Sequence, residues 1–205
     1  MRKVIIAAVF MHMFLNGVYA ELFTFDLINK ESAAWDNVSS GVYTNAGNKL
    51  TVRASMFAYL NGSYSAGSLL NSTASEFGIN AAGSGDATSF FDTNNGQESL
   101  WVSFDRTVTI KSVTVSSFTG GNVETGAYQV ANGSLVNFTA GGTYAVNTTL
   151  NQGSFFKIIA IDKGGGNGWS LNSFTVEAVP EPATIVMLGV GGLMVCIFRY
   201  TAHKS

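Results

Sequence analysis

Ser99-Leu100-Trp101-Val102-Ser103-Phe104 and, after three intervening residues, Val108-Thr109-Ile110-Lys111-Ser112-Val113-Thr114-Val115-Ser116-Ser117-Phe118 place aliphatic or Phe side chains at alternate positions. A period of two marks a strand with one face on a core and the other toward water. In the first run Leu100, Val102 and Phe104 share one face, and Trp101 and Ser103 take the other. In the second run the parity changes: Val108 and Ile110 are even, Val113 and Val115 odd. A bulge or bend near Lys111-Ser112 accounts for that change most simply.

The same alternation extends in both directions. Phe23, Phe25 and Leu27 oppose Thr24 and Asp26 within Leu22–Ile28, and Leu50 and Val52 oppose Thr51 and Arg53 within Leu50–Ala54. Further strands are expected at Tyr128–Ala131, Leu135–Phe138, Thr143–Val146, Phe155–Ile161 and Ser170–Ala178. Clusters of Gly, Asn and Ser separate them, and helical periodicity is confined to two apolar runs at the termini. About nine short strands with Gly-rich turns predict an all-β fold, a single β-sandwich of jelly-roll kind over residues 21–178. No repeat of fixed period supports a propeller or solenoid.

Composition narrows the function. From Glu21 to Ala178 there are seven basic and twelve acidic residues, a formal charge of −5, with no Lys/Arg cluster. Nucleic acid binding needs a basic footprint to neutralise phosphates, so nucleic acid is excluded as the expected partner. His12, His203 and Cys196 all lie in the terminal segments. The β region therefore has no Cys nucleophile, no His general base, no disulfide and no His/Cys zinc site.

The termini read as addresses. Arg2 and Lys3 precede the apolar run Val4–Leu15, and Val18-Tyr19-Ala20 puts small residues at the positions a signal peptidase reads. Residues 1–20 are thus expected to be a signal peptide, cleaved between Ala20 and Glu21 after passage through the Sec machinery. At the other end Val179-Pro180-Glu181-Pro182 holds both prolines of the chain. Residues 183–198 are apolar and uncharged, and the tail 199–205 carries Arg199 and Lys204. Sixteen residues make a helix of ~24 Å, slightly short of a ~30 Å hydrocarbon core, with snorkelling by Arg199 to extend it. Lys and Arg beyond the helix predict a cytoplasmic C-terminus and an exported β domain. The two prolines keep the preceding segment extended, as a processing enzyme's cleft requires.

This ordered tail resembles the PEP-CTERM sorting signal, the substrate signal of exosortases in Gram-negative bacteria. Val179, Pro180, Glu181 and Pro182 match its motif, Gly189, Gly191 and Gly192 its glycine-studded helix. The family's usual run of arginines is reduced here to Arg199 and Lys204. The resemblance covers the last 27 residues, 179–205. It implies an inner-membrane intermediate, processing by exosortase, and release to the cell surface or extracellular matrix, in company with exopolysaccharide and biofilm. A second resemblance lies in the β region, where Gly85-Asp86, Gly96-Gln97-Glu98-Ser99, Phe104-Asp105 and Gly168-Trp169-Ser170-Leu171 are similar to PEP-CTERM ectodomains and jelly-roll carbohydrate-binding modules.

Three kinds of site are candidates in the β region. Asp86, Asp92, Asn94 and Glu98 supply oxygens of the type Ca²⁺ takes, without EF-hand spacing; the alternative is a turn whose Asp and Asn bond their own backbone. Trp35, Trp101 and Trp169 are candidate sugar platforms, with core packing as the alternative. Trp101, opposite the apolar face of its strand, is the strongest of them, with Trp169 next. A glycosidase pair is the third. Glu98 and Asp105 flank one strand and lie more than ~20 Å apart at ~3.3 Å per residue, beyond the ~5–9 Å such a pair needs. Without His no Ser-His-Asp triad can form. The expectation is a non-catalytic domain, either a carbohydrate-binding module with a defined glycan or a matrix component that self-associates. Six Asn-x-Ser/Thr sequons, at Asn37, Asn61, Asn71, Asn132, Asn137 and Asn147, follow from composition and are assigned no role.

The tail reading makes one prediction. Replacing Pro180 and Glu181 together with Ala should leave the protein at its unprocessed mass in an exosortase-bearing host, and unchanged processing would contradict it.

Overall fold

The computed structural model describes residues 20–28, 38–48, 50–64, 68–81, 90–93, 95–118, 125–161 and 168–178. Residues 1–19, Trp35, Asp86, Asn94 and the whole of 179–205, with the sorting motif Val179–Pro182, the expected membrane helix, Arg199 and Lys204, lie outside the described residues. The β region Glu21–Ala178 forms one unit. Among the described residues there are thirteen strands and no helix. In chain order they are β1 Glu21–Asp26, β2 Ser40–Ala46, β3 Thr51–Leu60, β4 Ser63–Tyr64, β5 Ser68–Ser72, β6 Phe77–Ala81 and β7 Glu98–Phe104. Then follow β8 Val108–Ser116, β9 Gly126–Val130, β10 Val136–Phe138, β11 Gly142–Leu150, β12 Phe156–Ala160 and β13 Ser170–Ala178.

These strands make a four-stranded sheet, β1-β13-β8-β11, and a seven-stranded one, β10-β9-β12-β7-β3-β2 with β4 also paired to β3. A β5-β6 hairpin stands apart as a third, two-stranded sheet. All the described pairings are antiparallel. The two large sheets pack face to face through the side chains the alternation sends inward. Phe25 of β1 and Phe174 of β13 stack at 5.0 Å, and Phe104 of β7 meets Phe174 edge-on at 6.0 Å. Phe156 of β12 reaches the same Phe174 at 6.2 Å. Phe174 is thereby in contact with both sheets, and each such buried ring contributes about 1.5–3 kcal/mol of transfer free energy.

The expected bulge is present. Against β13, Ser112 pairs with Thr175 and Ile110 with Val176, so Lys111 is the extra residue there; against β11, Ser112 pairs with Ala145 and Ile110 with Thr148, so Val146 and Asn147 stand opposite Lys111. One unpaired residue restores inward direction to Val113 and Val115, both buried like Val108 and Ile110.

The expected strand count fell short because four strands lack the alternation that reveals a strand. In β2 the lone aliphatic residue larger than Ala, Val42, points outward. All five residues of β6 are buried, the polar Asn80 among them, so neither face of it meets water. β4 has two residues, and β5 is legible only as the partner of β6. β3 also runs further than expected, to Leu60, with Met56 and Ala58 continuing the inward face of Val52 and Ala54.

The start of the unit is held by its first residue. Glu21 pairs with Ala178, and its carboxylate accepts the backbone N–H of Asn48 at 2.5 Å and of Leu50 at 3.2 Å. Asn45 Nδ2 donates to Thr24 O at 2.8 Å, so β1 of one sheet is tied to the β2–β3 turn of the other.

Candidate functional site

The pleat that buries Leu100, Val102 and Phe104 leaves Trp101 on the outer face of the seven-stranded sheet, as the sequence predicts. Its neighbours there come from the two flanking strands. Phe57 of β3 lies directly across on one side and Lys157 of β12 on the other. Tyr59, one diagonal step along β3, stacks on the indole with centroids 4.2 Å apart and planes 12° from parallel. The ammonium of Lys157 stands 4.2 Å from the indole centroid, from the opposite flank. Two strand spacings of ~4.8 Å thus hold a ladder of Tyr59, Trp101 and Lys157, with both indole faces occupied by protein.

Around this ladder the rings continue. Phe155, just before β12, is 5.2 Å from Trp101 and 6.2 Å from Phe57. Phe57 and Phe155 stand on either side of β7 and meet diagonally across it, past Ser103, the small outward residue that follows Trp101. Tyr64 of β4 meets Phe57 edge-on at 5.9 Å and Tyr59 at 5.6 Å. Tyr64 is the most open of the five, at 49% exposure, and the others are half-buried. Hydroxyls lie beside the rings, and Gln129 of β9 stands opposite Lys157. Trp101 Nε1 donates to Ser99 Oγ at 3.2 Å, Ser39 Oγ and the Tyr64 hydroxyl share a 3.2 Å hydrogen bond, and Gln129 Nε2 donates to Gly133 O at 2.8 Å. Hydrogen bonding to Ser39, and next to Ser40, holds the Tyr64 phenol below its ordinary titration range.

Trp169 is placed differently. It is 1% exposed, stacked on Phe91 at 4.6 Å and on Phe118 at 6.1 Å, with Phe138 edge-on at 4.8 Å. The sugar-platform expectation for Trp169 is corrected accordingly: its ring is core. Gly126 makes room for it, since a Cβ there would collide with Phe138 and come within 2.7 Å of the indole. For Trp101 the correction is narrower. It is on the outer face, but its two ring faces are covered, so what it offers a ligand is its rim.

The acidic segment is only partly described. Glu98 is fully buried at the start of β7, and its Oε2 accepts the backbone N–H of Asp92 at 2.9 Å. Asp92 is 6% exposed, and its backbone O in turn accepts the N–H of Glu98 at 3.4 Å. That reciprocal pair is the geometry of a turn fastened by a side chain. Among the described residues no three His, Cys, Asp or Glu side chains gather as a metal would need. Of the cleavage junction, Ala20 is exposed and Glu21 begins β1.

Tyr59, Tyr64, Phe57, Phe155 and Lys157 were not singled out from the sequence. Parity held the signal for two of them, because Phe57 and Tyr59 are odd in a strand whose even positions are Val52, Ala54, Met56 and Ala58.

No family model matches the chain, and no curated protein does. Solved structures similar to it include two carbohydrate-active enzymes. One is a family two carbohydrate esterase from Cellvibrio japonicus, 10% identical, with 80% of this chain and 36% of that one covered and a TM-score of 0.32. The other is a GH26-CBM35 β-(1,4)-mannanase from Podospora anserina, 18% identical, with 62% of this chain and 28% of that one covered and a TM-score of 0.34. The chain spans about a third of the length of each.

The two described tryptophans should respond differently to truncation. Trp169→Ala should cost about 3–5 kcal/mol, as a large buried aromatic does. Trp101→Ala loses one stack and one cation–π contact, about 1–2 kcal/mol. Urea unfolding of both variants checks this, and equal losses would contradict the two placements.

Proposed function

We propose that this chain is an exported cell-surface or extracellular-matrix protein whose non-catalytic β-sandwich associates with polysaccharide through the outer aromatic face of its seven-stranded sheet. The observation that carries the reading is the gathering of Phe57, Tyr59, Tyr64, Trp101 and Phe155 on one solvent-facing surface. Sheets do not need aromatic residues on their wet side, and a cluster of them beside hydroxyls is a surface for a ligand that is itself part apolar and part hydroxylated. A sugar ring has that character: C–H faces that pack on an aromatic ring such as Tyr64, and hydroxyls that pair with Ser, Tyr and Gln groups.

The jelly-roll class belongs to the same proposal. With β1, β7, β8, β9, β10, β11, β12 and β13 counted as eight successive strands, the sheets read 1-8-3-6 and 2-7-4-5. That is the order of two interlocked Greek keys, with the β2–β3 pair added beyond β7. The export and sorting parts rest on the sequence of the two ends. On this reading the chain meets the Sec machinery and signal peptidase, is held in the inner membrane of a Gram-negative bacterium, and is then processed by an exosortase at Val179–Pro182. The domain is a binding element rather than a catalyst, since it has no His or Cys and the buried carboxylate of Glu98 fastens a turn.

Immobilised exopolysaccharide from an exosortase-bearing host provides the test. Tyr64→Ala and Trp101→Ala should each weaken retention about tenfold, ~1.4 kcal/mol, with the far-ultraviolet spectrum unchanged. Full retention by both folded variants would remove this face from the account.

A further inference from the structure

We propose that the polysaccharide held on this face is anionic, a chain bearing carboxylate or sulfate groups; the inference rests on the polysaccharide reading above and adds the chemical class of the ligand. The first observation concerns cations. Four cationic side chains are described: Arg53, Arg106, Lys111 and Lys157. Arg106 lies 3.7 Å from Asp105 and Lys111 lies 3.6 Å from Glu177, each an ion pair. Arg53 and Lys157 belong to neither of these pairs, and both project from the outer face of the seven-stranded sheet.

The second observation concerns acids. The region as a whole carries a formal charge of −5, yet the outward-facing positions of β2, β3, β7, β9 and β12 hold no Asp or Glu. Glu21 reaches the β2–β3 turn, Glu98 is in the interior and Glu177 is on the other sheet; Asp105, one residue past β7, accepts the backbone N–H of Arg53 at 3.0 Å, and its charge is matched by its ion pair with Arg106. A positive face on a negative domain is a distribution that attracts anions to that face and repels them from the rest.

The third observation concerns the rings. An aromatic ring is negative on its faces and positive around its rim. With Tyr59 on one face of Trp101 and Lys157 on the other, the indole turns its rim toward solvent. A neutral sugar packing flat on an indole needs an open face, and this indole has none. An anionic group needs a positive rim beside an ammonium, and this face supplies both. Lys157 is held in place by its contact with the indole, so less side-chain freedom is lost when an anion binds.

The spacing favours a chain over a single sugar. Arg53 lies four residues along β3 from the row of Phe57, Trp101 and Lys157, and β3 and β12 are two strands apart. At ~3.3 Å per residue and ~4.8 Å per strand the two cations are about 16 Å apart, a distance several sugar rings must span.

The test compares polymers on the full-length chain, by affinity electrophoresis at several salt concentrations. Polygalacturonate supplies carboxylates, dextran sulfate supplies sulfates, and dextran is neutral. The wild-type chain should bind at least one of the two anionic polymers, more weakly as salt rises, and the arm that binds identifies the anionic group. Lys157→Gln and Arg53→Gln should each weaken that binding about fivefold, and Lys157→Arg should restore it. Thermal melting of each variant verifies that it is folded. Retention of dextran alone would overturn the anionic inference and leave the polysaccharide reading standing. Unchanged anionic binding in Lys157→Gln, with loss in Tyr64→Ala, would do the same. Anionic binding unaffected by any of Lys157, Arg53, Tyr64 and Trp101 substitutions would overturn both.

Discussion

The pleat of β7 is the constraint on which the rest depends. Successive side chains of a strand must leave on opposite faces, so once Leu100, Val102 and Phe104 are committed to the core, Ser99, Trp101 and Ser103 can go only outward. β7 sits between β3 and β12 in the larger sheet, so its partners on both sides are fixed by register. Phe57 and Lys157 face Trp101 because Met56 and Phe156 face Val102. A slip of one residue in either pairing would bury Lys157 or expose Phe156. The core and the outer face are thus two readings of one register, and the stability of the first places the second.

The energies divide the same way. The inner face gathers Phe25, Phe104, Phe156 and Phe174 into one fully packed cluster, with several kcal/mol at stake in each ring. The outer ladder is worth about 0.5–1.5 kcal/mol for an aromatic pair and about 0.5–1 for an exposed cation–π contact. Removing an outer ring therefore leaves a folded protein, whereas removing an inner one endangers it. A surface that contributes little to folding and yet carries five aromatic rings is the part of the molecule on which the binding proposal rests.

The architecture was more legible in the sequence than the site. Alternation in β7 and β8 showed the sandwich, and the change of parity at Lys111 showed a bulge that register confirms. β2 and β6 were invisible for opposite reasons, the one too polar and the other buried on both faces. Trp101 was legible because one strand's parity is enough to place it. Its covering by Tyr59 and Lys157 was not, since those residues are over forty positions away on either side and meet it only through strand order. Trp169 follows Gly168 and reads as a loop residue. It is core because Gly126 leaves space where a side chain would collide with Phe138 and crowd the indole. Glu98 reads as a metal ligand by residue type, and its carboxylate accepts the Asp92 amide because it begins a strand with inward parity.

Backbone amide shifts during titration of the protein with an oligogalacturonate test the central claim most directly. The account predicts that the largest changes fall on Phe57–Leu60, Tyr64, Ser99–Ser103 and Phe155–Lys157, the segments that share the outer face of the larger sheet. Changes confined to Asp92 and 95–97 or to the four-stranded sheet, with these segments silent, would contradict it.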